Sequence, residues 1–338
     1  DFMFFVNTEQ LIYNQEINES SSEIDLVIVV QVHNRLIYLK ELINSLAAAA
    51  NINRTLLIFS HDVYDKDINE AVQSIQFARV MQIFYPFSIQ THPDEFPGPD
   101  SDDCQPSEQP KPNCPNIHFK DTYGNFRNAI VAQLKHHWWW KINFVFNRIR
   151  ALKDYFGLVL LLEEDHYVAE DFIHCLKLME NYSRESCPEC WFFSLARLKM
   201  RDDHSGSNDV IIRSSVENLG LAFNRNVWYE ILRLANDFCK FDDYNWDWTL
   251  RQMASKIMKP TPSSMIMAHD RIAHIGSCGT HSGNKTCDAS AIIKKFKEAQ
   301  VNLFPKFLNT RREDFSYNIR NNGGWKDPRD HALCIGMT

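Results

Sequence analysis

Three consecutive carboxylates and an imidazole, Glu163-Glu164-Asp165-His166, directly follow the apolar run at residues 158–162. Such a run predicts a parallel strand that is covered on both faces. Ligands of open α/β sheets bind beyond the carboxyl ends of such strands, so we expect a metal-bridged phosphate there, with Asp165 as the first metal ligand. Adjacent carboxylates repel one another unless a cation or donors compensate them. Alternatively, one acid caps a helix that begins near Glu170, which accounts for one carboxylate but not for three.

A second acidic cluster, residues 241–248 with the sequence FDDYNWDW, interleaves aspartates with aromatic side chains. Aromatic rings stack on the apolar faces of pyranose sugars, and carboxylates accept hydrogen bonds from sugar hydroxyls. This composition favours sugar recognition, and one of the aspartates could act as a general base. Alternatively, Asp242 or Asp243 caps a helix over residues 245–254, and Asp247 lies in its first turn, where an acid is favourable in any case.

Histidines occur at two further places that could serve chemistry. Within residues 266–276, His274 or His269 could complete a transition-metal site with a carboxylate, although single histidines are more often structural. In the run KHHWWWK at residues 135–141, helical spacing predicts that the tryptophans fill the core while His136 and His137 face outward. Lys135 or one of these histidines could still reach a phosphate.

Alternating strands and helices are predicted around these residues, which indicates an α/β fold with a mostly parallel sheet. Strands are predicted at 24–32, 54–59, 81–85, 158–162 and 191–196, with a further buried segment at 216–223. Helices are predicted from Arg35 through 50 and at 68–77, 126–152, 227–235 and 245–254. Residues 90–121 are rich in Pro, Asp, Ser and Gly and predict a disulfide-stapled surface loop, of the kind that often contacts substrates.

Composition narrows the class of protein. The 338 residues are 44% hydrophobic and carry a formal net charge of −7, and the pI is near 6. These values fit a globular protein and argue against nucleic acid or an anionic membrane surface as partner. No apolar stretch approaches the ~20 residues of a transmembrane helix, so the chain as given is predicted to be soluble. Because it begins at Asp1 without Met, we expect that an N-terminal segment has been removed.

Nine cysteines and four N-glycosylation sequons indicate the oxidising lumen of the secretory pathway. Three short-loop pairs fit disulfides by spacing: Cys104 with Cys114, Cys187 with Cys190, and Cys278 with Cys287. Cys239 with Cys334 would then tie back the C-terminus, and Cys175 would remain a buried free thiol. A zinc half-site and a redox pair are the rival interpretations of Cys187-Pro-Glu-Cys190, but the chain has no second CxxC. The sequons lie at Asn18, Asn53, Asn181 and Asn284.

Eight ordered segments between Ile24 and Cys334 together resemble a known family. They are QVHNR at 31–35, FSHD at 59–62, KHHWWWK at 135–141, LLLEEDH at 160–166, CPEC at 187–190, DDYNWDWTL at 242–250, HIGSC at 274–278 and NGGW at 322–325. They are similar to the N-acetylglucosaminyltransferase II family, the α-1,6-mannosyl-glycoprotein 2-β-N-acetylglucosaminyltransferases. The resemblance spans nearly the whole chain.

The resemblance implies a Rossmann-like glycosyltransferase A fold with a mostly parallel central sheet flanked by helices. Residues 1–23 would be a stem remnant and 24–338 a single catalytic domain, with a nucleotide-sugar-binding half at 24–165 and an acceptor-binding half at 166–338. The protein would be a type II Golgi membrane enzyme, with a lumenal catalytic domain and with its tail, signal-anchor and stem missing here. Self-association as a homodimer is left open.

The implied reaction uses UDP-GlcNAc as donor and Mn²⁺ as cofactor. The acceptor would be the N-glycan core GlcNAc-Man3-GlcNAc2 on glycoproteins, which already bears GlcNAc on its α1,3 arm. GlcNAc would pass with inversion to the 2-hydroxyl of the α1,6-linked mannose in a β1,2 linkage, and this opens the second antenna of complex N-glycans.

The resemblance also implies roles for individual residues. Asp165 and His274 match metal ligands, and Asp247 matches the general base of a single displacement. The nucleotide-sugar positions are Gln31, Val32, His33, Asn34, Arg35, Asp62, Gln133, Leu134, Lys135, His136, His137, Glu163 and Glu164. The acceptor positions are Asn218, Trp246, Asp121 and Arg201, with Arg197 as the alternative to Arg201. An Asp62 carboxylate can accept the uracil N3–H, and Arg35 can meet the pyrophosphate. The assignments in the tryptophan-rich helix replace the interpretation of that helix as core alone.

The sequence also departs from the vertebrate enzymes of this family. The stretch 197–207 is shorter, and one disulfide that flanks the DDYNWDW segment has no cysteines here. The four remaining pairs match those proposed from spacing.

Two other functions fit parts of the pattern. A glycan-binding protein could keep the fold and a metal, but it needs no base such as Asp247. A metal-dependent hydrolase of UDP-sugars would need a positioned water, whereas the aromatic and acidic cluster at 244–248 fits an acceptor better.

Overall fold

The computed structural model describes residues 2–17, 23–106, 109, 111–197, 208–276, 288–314 and 321–338. Its strands are β1 Ile12–Tyr13, β2 Leu26–Val32, β3 Thr55–His61, β4 Arg79–Phe84, β5 Val159–Glu163, β6 His166–Val168, β7 Cys190–Ser194, β8 Asp209–Arg213, β9 Leu221–Phe223, β10 Ser263–Met267, β11 Ile272–His274 and β12 Asn309–Arg312. Its α-helices are α1 Phe2–Glu9, α2 Leu36–Ala47, α3 Lys66–Gln73, α4 Ala129–Asn147, α5 Phe172–Ser186, α6 Arg225–Arg233, α7 Ala235–Lys240, α8 Trp246–Gln252, α9 Ser290–Ala299 and α10 Pro328–Gly336. Short 3₁₀ turns occupy Ile52–Arg54 and Arg150–Leu152, and a π-helical turn occupies Met253–Ile257.

The central sheet has the strand order β1-β4-β3-β2-β5-β9-β7-β10-β8-β12. Strands β4, β3, β2 and β5 are parallel neighbours, while β9 runs antiparallel between β5 and β7. The parallel part starts at β2 and extends first toward β3 and β4, then on the other side to β5. The direction of strand addition therefore reverses between β2 and β5, which makes their carboxyl ends the favoured place for a ligand. Strands β6 and β11 form a separate antiparallel pair.

Both faces of the parallel strands are buried, which explains why their sequences are mainly apolar. On one face Ile28 and Val30 of β2 pack in a cluster with apolar side chains of α2, α3 and α5. On the other face Val27 and Val29 pack in a cluster with α4, α6 and α8. Each of these four side chains is fully buried, and full burial of such a side chain stabilises the fold by about 1.5–3 kcal/mol. The predicted α/β fold, with a mostly parallel sheet flanked by helices, is confirmed.

Disulfides connect the loops and the C-terminus to this core. The predicted pairs Cys104–Cys114, Cys187–Cys190 and Cys239–Cys334 are confirmed, so the CPEC motif is a disulfide. Cys175 is free and buried, as predicted. The Cys278–Cys287 pair, Arg201 and the sequons at Asn18 and Asn284 lie outside the described residues.

The N-terminal residues are attached to the edge of the sheet. Strand β1 pairs antiparallel with β4, and Asn14 Nδ2 donates to the carbonyl oxygens of Ile75 and Ala78 at 2.7 and 2.9 Å. The side chain of Asn7 exchanges two hydrogen bonds with the backbone of Phe84. Among the described residues, none of the helices combines the length and apolar character that crossing a bilayer requires.

Candidate active site

The carboxyl ends of β2 and β5 bring the segment 31–35 and the acidic cluster together. Gln31 is paired with Glu163 in the parallel register, and the Glu164 amide donates to the Gln31 carbonyl at 3.0 Å. The His33 amide donates to Glu164 Oε2 at 2.7 Å. These contacts hold the turns that follow both strands, so the backbone positions of the residues in those turns are fixed.

Arg35 is the cation that compensates the acids after β5. Its Nε donates to Glu164 Oε1 at 2.6 Å and its Nη1 donates to Asp165 Oδ2 at 2.7 Å. Burial raises the pKa of Glu164, although Arg35 opposes the rise. Burial would also raise the pKa of Asp165, but His274 and Arg35 outweigh it and hold that pKa below its usual range. Asp165 is therefore an anion at neutral pH.

None of the acids in the cluster caps a helix. Helix α5 begins at Phe172, and Asp171 stands at its N-cap position. The cluster ends earlier, at His166, which is the first residue of β6. The capping alternative for this segment is wrong.

Asp165 and His274 meet, as the sequence predicts. His274 Nε2 lies 3.1 Å from Asp165 Oδ2, because β11 pairs with β6 and places His274 opposite His166. The Ile275 amide donates to the Asp165 carbonyl at 2.8 Å, which fixes the next turn. Ligand atoms of Glu163, Asp165 and His166 also lie within 4.8 Å of one another.

This donor set fits a divalent cation. Asp165 Oδ1 is buried and has no hydrogen-bond partner among the described residues. Burial lowers the pKa of His166 to about 4, so its imidazole is neutral at pH 7, the form in which histidine binds a metal. A Cβ at Gly276 would lie only 2.3 Å from Asp165 Oδ2, so this glycine keeps the space beside the carboxylate open. The sequence feature that could have pointed to Gly276 is its position two residues after His274.

A second set of polar contacts surrounds Asp62, just beyond β3. His33 Nδ1 lies 2.8 and 2.9 Å from the two Asp62 carboxylate oxygens, and Gln133 Nε2 donates to Oδ2 at 3.1 Å. Burial lowers the pKa of His33, but Asp62 more than compensates, so the net shift is upward. Nearby, Lys141 Nζ donates to Gln31 Oε1 at 2.7 Å. Sequence reasoning did not single out Lys141, because a lysine at the end of KHHWWWK reads as a solvated residue.

The histidines of α4 are buried, so the prediction that they face outward is wrong. His137 Nε2 lies 2.7 Å from Ser60 Oγ, and its ring stacks on Tyr85 with centroids 5.2 Å apart. His136 Nε2 lies 2.8 Å from Asp330 Oδ1 in α10. The tryptophans of the same helix are buried as predicted, because the helix packs between the sheet and the C-terminal segments. His136 and His137 lie on the enclosed sides of this helix, whereas its exposed side carries residues such as Ile130.

The remaining predicted donor positions differ in exposure. Val32 is buried at the end of β2, Asn34 is exposed, and Leu134 is half-buried on α4. Lys135 is fully buried, and its Nζ donates to the carbonyl oxygens of Phe241 and Asp243 at 3.1 and 2.8 Å. Its hydrogen bonds therefore reach the segment before α8.

Asp247 lies in the first turn of α8, half-buried, and is linked to the carboxyl edge of β5. Arg251 Nη2 lies 3.9 Å from Asp247 Oδ2 and 3.6 Å from Glu217 Oε2, and Arg251 Nε donates to the Val216 carbonyl at 2.6 Å. Because Leu221 pairs with Leu161 in antiparallel β9 and β5, residues 216–220 continue toward the carboxyl end of β5. Asp247 is thus tied to the loop that borders the acidic cluster.

Burial raises the pKa of the Asp247 carboxyl, and the positive charge of Arg251 opposes this rise. The helix-capping alternative for the neighbouring aspartates is wrong, because Asn245 is the N-cap residue of α8. Asp243 instead accepts from the backbone and side-chain amides of both Asn245 and Asn322.

The predicted acceptor residues lie around this segment. Asn218 is half-buried, and its Oδ1 has no hydrogen-bond partner in the part of the chain that the structure describes. Trp246 is 9% exposed and stacks on Trp138 of α4 with centroids 4.7 Å apart. Asp121 accepts from the Tyr123 and Asn125 amides at 2.8 Å. Arg197 Nη2 donates to the Ala268 carbonyl at 2.7 Å.

The sequence matches one protein family along nearly its whole length. A family model described as N-acetylglucosaminyltransferase II (MGAT2) matches residues 2–334. The chain belongs to the N-acetylglucosaminyltransferase II family. The α-1,6-mannosyl-glycoprotein 2-β-N-acetylglucosaminyltransferase of Sus scrofa is 40% identical over 98% of this chain and 77% of its own length. The Arabidopsis thaliana relative of the same name is 32% identical over 92% of this chain and 74% of its own length. Among solved structures, S. aureus TarS 1-349 matches with a TM-score of 0.38 and 10% identity over 73% of this chain and 59% of that one.

Membership of the N-acetylglucosaminyltransferase II family confirms the resemblance and the prediction that the chain is a glycosyltransferase. Its relatives imply a nucleotide-sugar donor and a glycan acceptor. A secretory-pathway location is consistent with the names of these relatives and with the disulfides. In this N-acetylglucosaminyltransferase II, the acids after β5 and the helix that bears Asp247 are the two parts of the candidate active site.

Proposed function

We propose that this enzyme transfers GlcNAc from UDP-GlcNAc to the 2-hydroxyl of the α1,6-linked mannose of the N-glycan core, with inversion of the anomeric carbon. The observation that supports the proposal most directly is the link from Asp247 through Arg251 to residues 216–217. It ties a carboxylate to the same edge of the sheet as the metal-candidate cluster. Residues 24–165 would form the donor half and residues 166–338 the acceptor half. Residues 1–23 would be a stem segment whose strand β1 pairs with β4 at the edge of the sheet.

The donor would occupy the crevice between β2 and β5. Asp62 would accept the uracil N3–H, and its carboxylate keeps acceptor capacity beyond the contacts from His33 and Gln133. Arg35 would meet the pyrophosphate, for which its planar guanidinium is suited. The present contacts of Arg35 with Glu164 and Asp165 support this, because they hold the guanidinium at the place where the diphosphate would arrive.

Asp165 and His274 would hold Mn²⁺, with Glu163 and His166 adjacent. When bound, Mn²⁺ would neutralise charge on the diphosphate and so favour departure of UDP. Among the described residues, the buried Oδ1 of Asp165 has no hydrogen-bond partner, which supports this assignment because such an oxygen is costly without a cation or donor. The protein's own part is to keep Asp165 ionised and its neighbourhood open, through Arg35, His274 and Gly276.

Asp247 would act as the general base. The acceptor 2-hydroxyl gives its proton to this carboxylate while its oxygen forms a bond to the anomeric carbon, from the face opposite UDP. The bond from that carbon to the UDP oxygen breaks, and its electron pair leaves with UDP. The raised pKa of Asp247 supports the role, because a more basic carboxylate is a better proton acceptor.

The acceptor glycan would contact the segments around α8. Asn218 and Asp121 would bind sugar hydroxyls. Trp246, which is buried against Trp138, would support the acceptor site from the interior. A polar ligand there is supported by Asn218 Oδ1, for which the described part of the chain provides no hydrogen-bond partner. Asp121 belongs to a loop that joins this region, since the Thr122 amide donates to the Asn322 carbonyl at 3.3 Å. Whether Arg197 or Arg201 also binds the acceptor stays a prediction.

We further propose that the catalytic domain lies in the Golgi lumen and belongs to a type II membrane protein. The disulfides support a lumenal position, because they persist in oxidising compartments. The acceptor would then be glycoproteins in transit.

The proposal is tested by GlcNAc transfer from UDP-GlcNAc to a trimannosyl core that bears GlcNAc on its α1,3 arm, with Mn²⁺ or with chelator. The native chain should form a β1,2 product only with metal. Asp247→Asn should lower kcat by about 10²–10⁴-fold and leave UDP affinity unchanged. Asp237→Asn is the matched control, because Asp237 is an exposed acid in the first turn of the neighbouring helix α7.

Three results would contradict parts of the proposal. Full transfer by Asp247→Asn would exclude this residue as the base. Tight UDP binding without product from the native chain would favour a glycan-binding protein. Release of free GlcNAc, without transfer to the glycan, would favour a hydrolase.

A further inference from the structure

Helix α4 contains two buried lysines, Lys135 and Lys141, that contact different parts of the enzyme. They are 0% and 2% exposed. Lys141 donates to the Gln31 side chain, which lies near the carboxyl end of β2, where the nucleotide sugar is proposed to bind. Lys135 donates to backbone oxygens of the segment between α7 and α8. Two lysines on one helix thus contact the proposed donor half and the proposed acceptor half.

The Lys135 side chain is fully buried and lies against two aromatic rings. Its Nζ lies 4.4 Å from the ring centroid of Trp325 and 5.1 Å from that of Phe238, distances at which a cation is attracted to an aromatic face. Burial lowers the pKa of Lys135 to about 7, with Asp243 opposing. A neutral amine keeps two N–H groups, and the Phe241 and Asp243 carbonyls accept two, so the tether does not depend on the protonation state.

The segment that Lys135 holds leads directly into α8. Trp246, the first residue of α8, stacks on Trp138, which lies three residues after Lys135 on α4. Residues three apart on a helix are neighbours on one face. Helix α4 therefore holds this segment on both sides of the point where α8 begins. Lys135 donates hydrogen bonds to the residues before α8, and Trp138 stacks on the first residue of α8. Asp247 is the next residue.

We propose that Lys135 is a positioning residue, which sets where α8 begins and hence where the Asp247 carboxylate stands, and that it does not contact the nucleotide. The inference rests on the proposed function of Asp247. It assigns Lys135 to the acceptor half, whereas the family resemblance implies the nucleotide-sugar site for it. Displacing a reacting group by about 1 Å can lower a rate by 10²-fold, so loss of the tether should act on kcat.

The test compares Lys135→Met with Lys141→Met. Methionine keeps the length and apolar stem of lysine and removes its donors. For Lys135→Met we expect UDP affinity within about twofold of the native chain and a fall in kcat at saturating donor of about 10–100-fold. For Lys141→Met we expect weaker UDP binding, because Gln31 loses its donor. A tenfold loss of UDP affinity in Lys135→Met, with kcat unchanged, would overturn the proposal.

Hydrogen exchange supplies a readout that needs no turnover. Backbone amides of residues 243–249 should exchange faster in Lys135→Met and remain protected in Lys141→Met. Equal protection in both variants would show that the tether does not hold the segment. If the native chain forms no product, the proposed function fails, while the exchange comparison still decides whether Lys135 fixes this segment.

A second variant covers the case in which Lys135→Met does not fold. Asn322→Ala removes the hydrogen bond from Asn322 Nδ2 to Asp243 Oδ2 and keeps the one that the Asn322 backbone amide donates to the same oxygen. It should also lower kcat while UDP affinity and the Tm change little. Unchanged kcat in this variant would contradict the idea that anchoring of residues 241–245 positions Asp247.

Discussion

Gly276→Ala tests the metal-candidate site through a single methyl group. An ideal Cβ on Gly276 would lie 2.3 Å from Asp165 Oδ2, 3.1 Å from Asp165 Cγ and 3.2 Å from His274 Cε1. Atoms of this kind essentially never approach closer than 3.0 Å, so the 2.3 Å contact must lengthen by at least 0.7 Å. The atom in the shortest contact is Asp165 Oδ2, which belongs to a proposed metal ligand, and His274 Cε1 would have to give only by a few tenths of an ångström.

Asp165 has little freedom to absorb the shift. Its side chain is buried and is held by Arg35 at 2.7 Å, and its carbonyl accepts from the Ile275 amide at 2.8 Å. Protein metal sites tolerate deviations of about 0.2 Å in ligand distance, which is much less than 0.7 Å. Perturbing the surroundings of a ligand typically costs 10–100-fold in metal affinity, about 1.4–2.8 kcal/mol. We expect a loss of this size for Mn²⁺.

The assay is a Mn²⁺ titration followed by electron paramagnetic resonance of the free ion, with and without UDP. Gly336→Ala is the matched control, because a Cβ at Gly336 meets no atom within 4 Å. That variant should bind Mn²⁺ like the native chain. If Gly276→Ala folds with the native Tm and binds Mn²⁺ within twofold of the native chain, then Asp165 and His274 are not the ligands.

Three further predictions concern protonation and stability. Because burial raises the pKa of Asp247 and a base must be deprotonated, kcat should fall as the pH drops through that raised pKa, so the acid limb of the pH–kcat profile should lie above the ordinary Asp value of about 4. Asp330→Asn should lower the free energy of unfolding by about 3–5 kcal/mol in urea denaturation, since it leaves the buried Arg127 unpaired. Burial raises the pKa of Asp330, but Arg127 outweighs it and the folded-state pKa is depressed, so this stabilisation is present at neutral pH and is lost as the pH falls below about 4. Removing the Cys239–Cys334 disulfide, which spans 95 residues, should cost about 2–5 kcal/mol by the same assay, and an unchanged denaturation midpoint would contradict this.

The parallel strands could be predicted from sequence because each is built mainly of apolar residues. The predicted strand at 158–162 is observed at Val159–Glu163, and the one at 24–32 is observed at Leu26–Val32. Shorter strands gave no such signal. Strand β12, Asn309–Arg312, has a polar sequence and pairs at the sheet edge, where neighbouring strands rather than side-chain patterns decide its conformation.

The residues of the candidate site also differ in whether they could be predicted from the sequence. Asp165 could be singled out because it directly follows an apolar strand, whereas residue types left His269 and His274 open and the family resemblance selected His274. The pairing of β6 with β11 brings His274 to Asp165. The burial of His136 and His137 could not be predicted, because helical spacing gives the direction of a side chain but not what packs there. Their partners, Asp330 and Ser60, lie 194 and 77 residues away in sequence.

The polar residues of α4 support a functional interpretation of this helix. Burying a lysine or a histidine costs free energy, and apolar residues of similar volume at such positions are often neutral or stabilising. Yet Lys135, His136, His137 and Lys141 are all buried, and they contact four different places: the segment before α8, helix α10, strand β3 and strand β2. Stability alone does not favour four such contacts on one helix. Each contact instead fixes the position of one segment, and two of these segments lead into the proposed donor and acceptor sites, so we infer that α4 sets the distance between them.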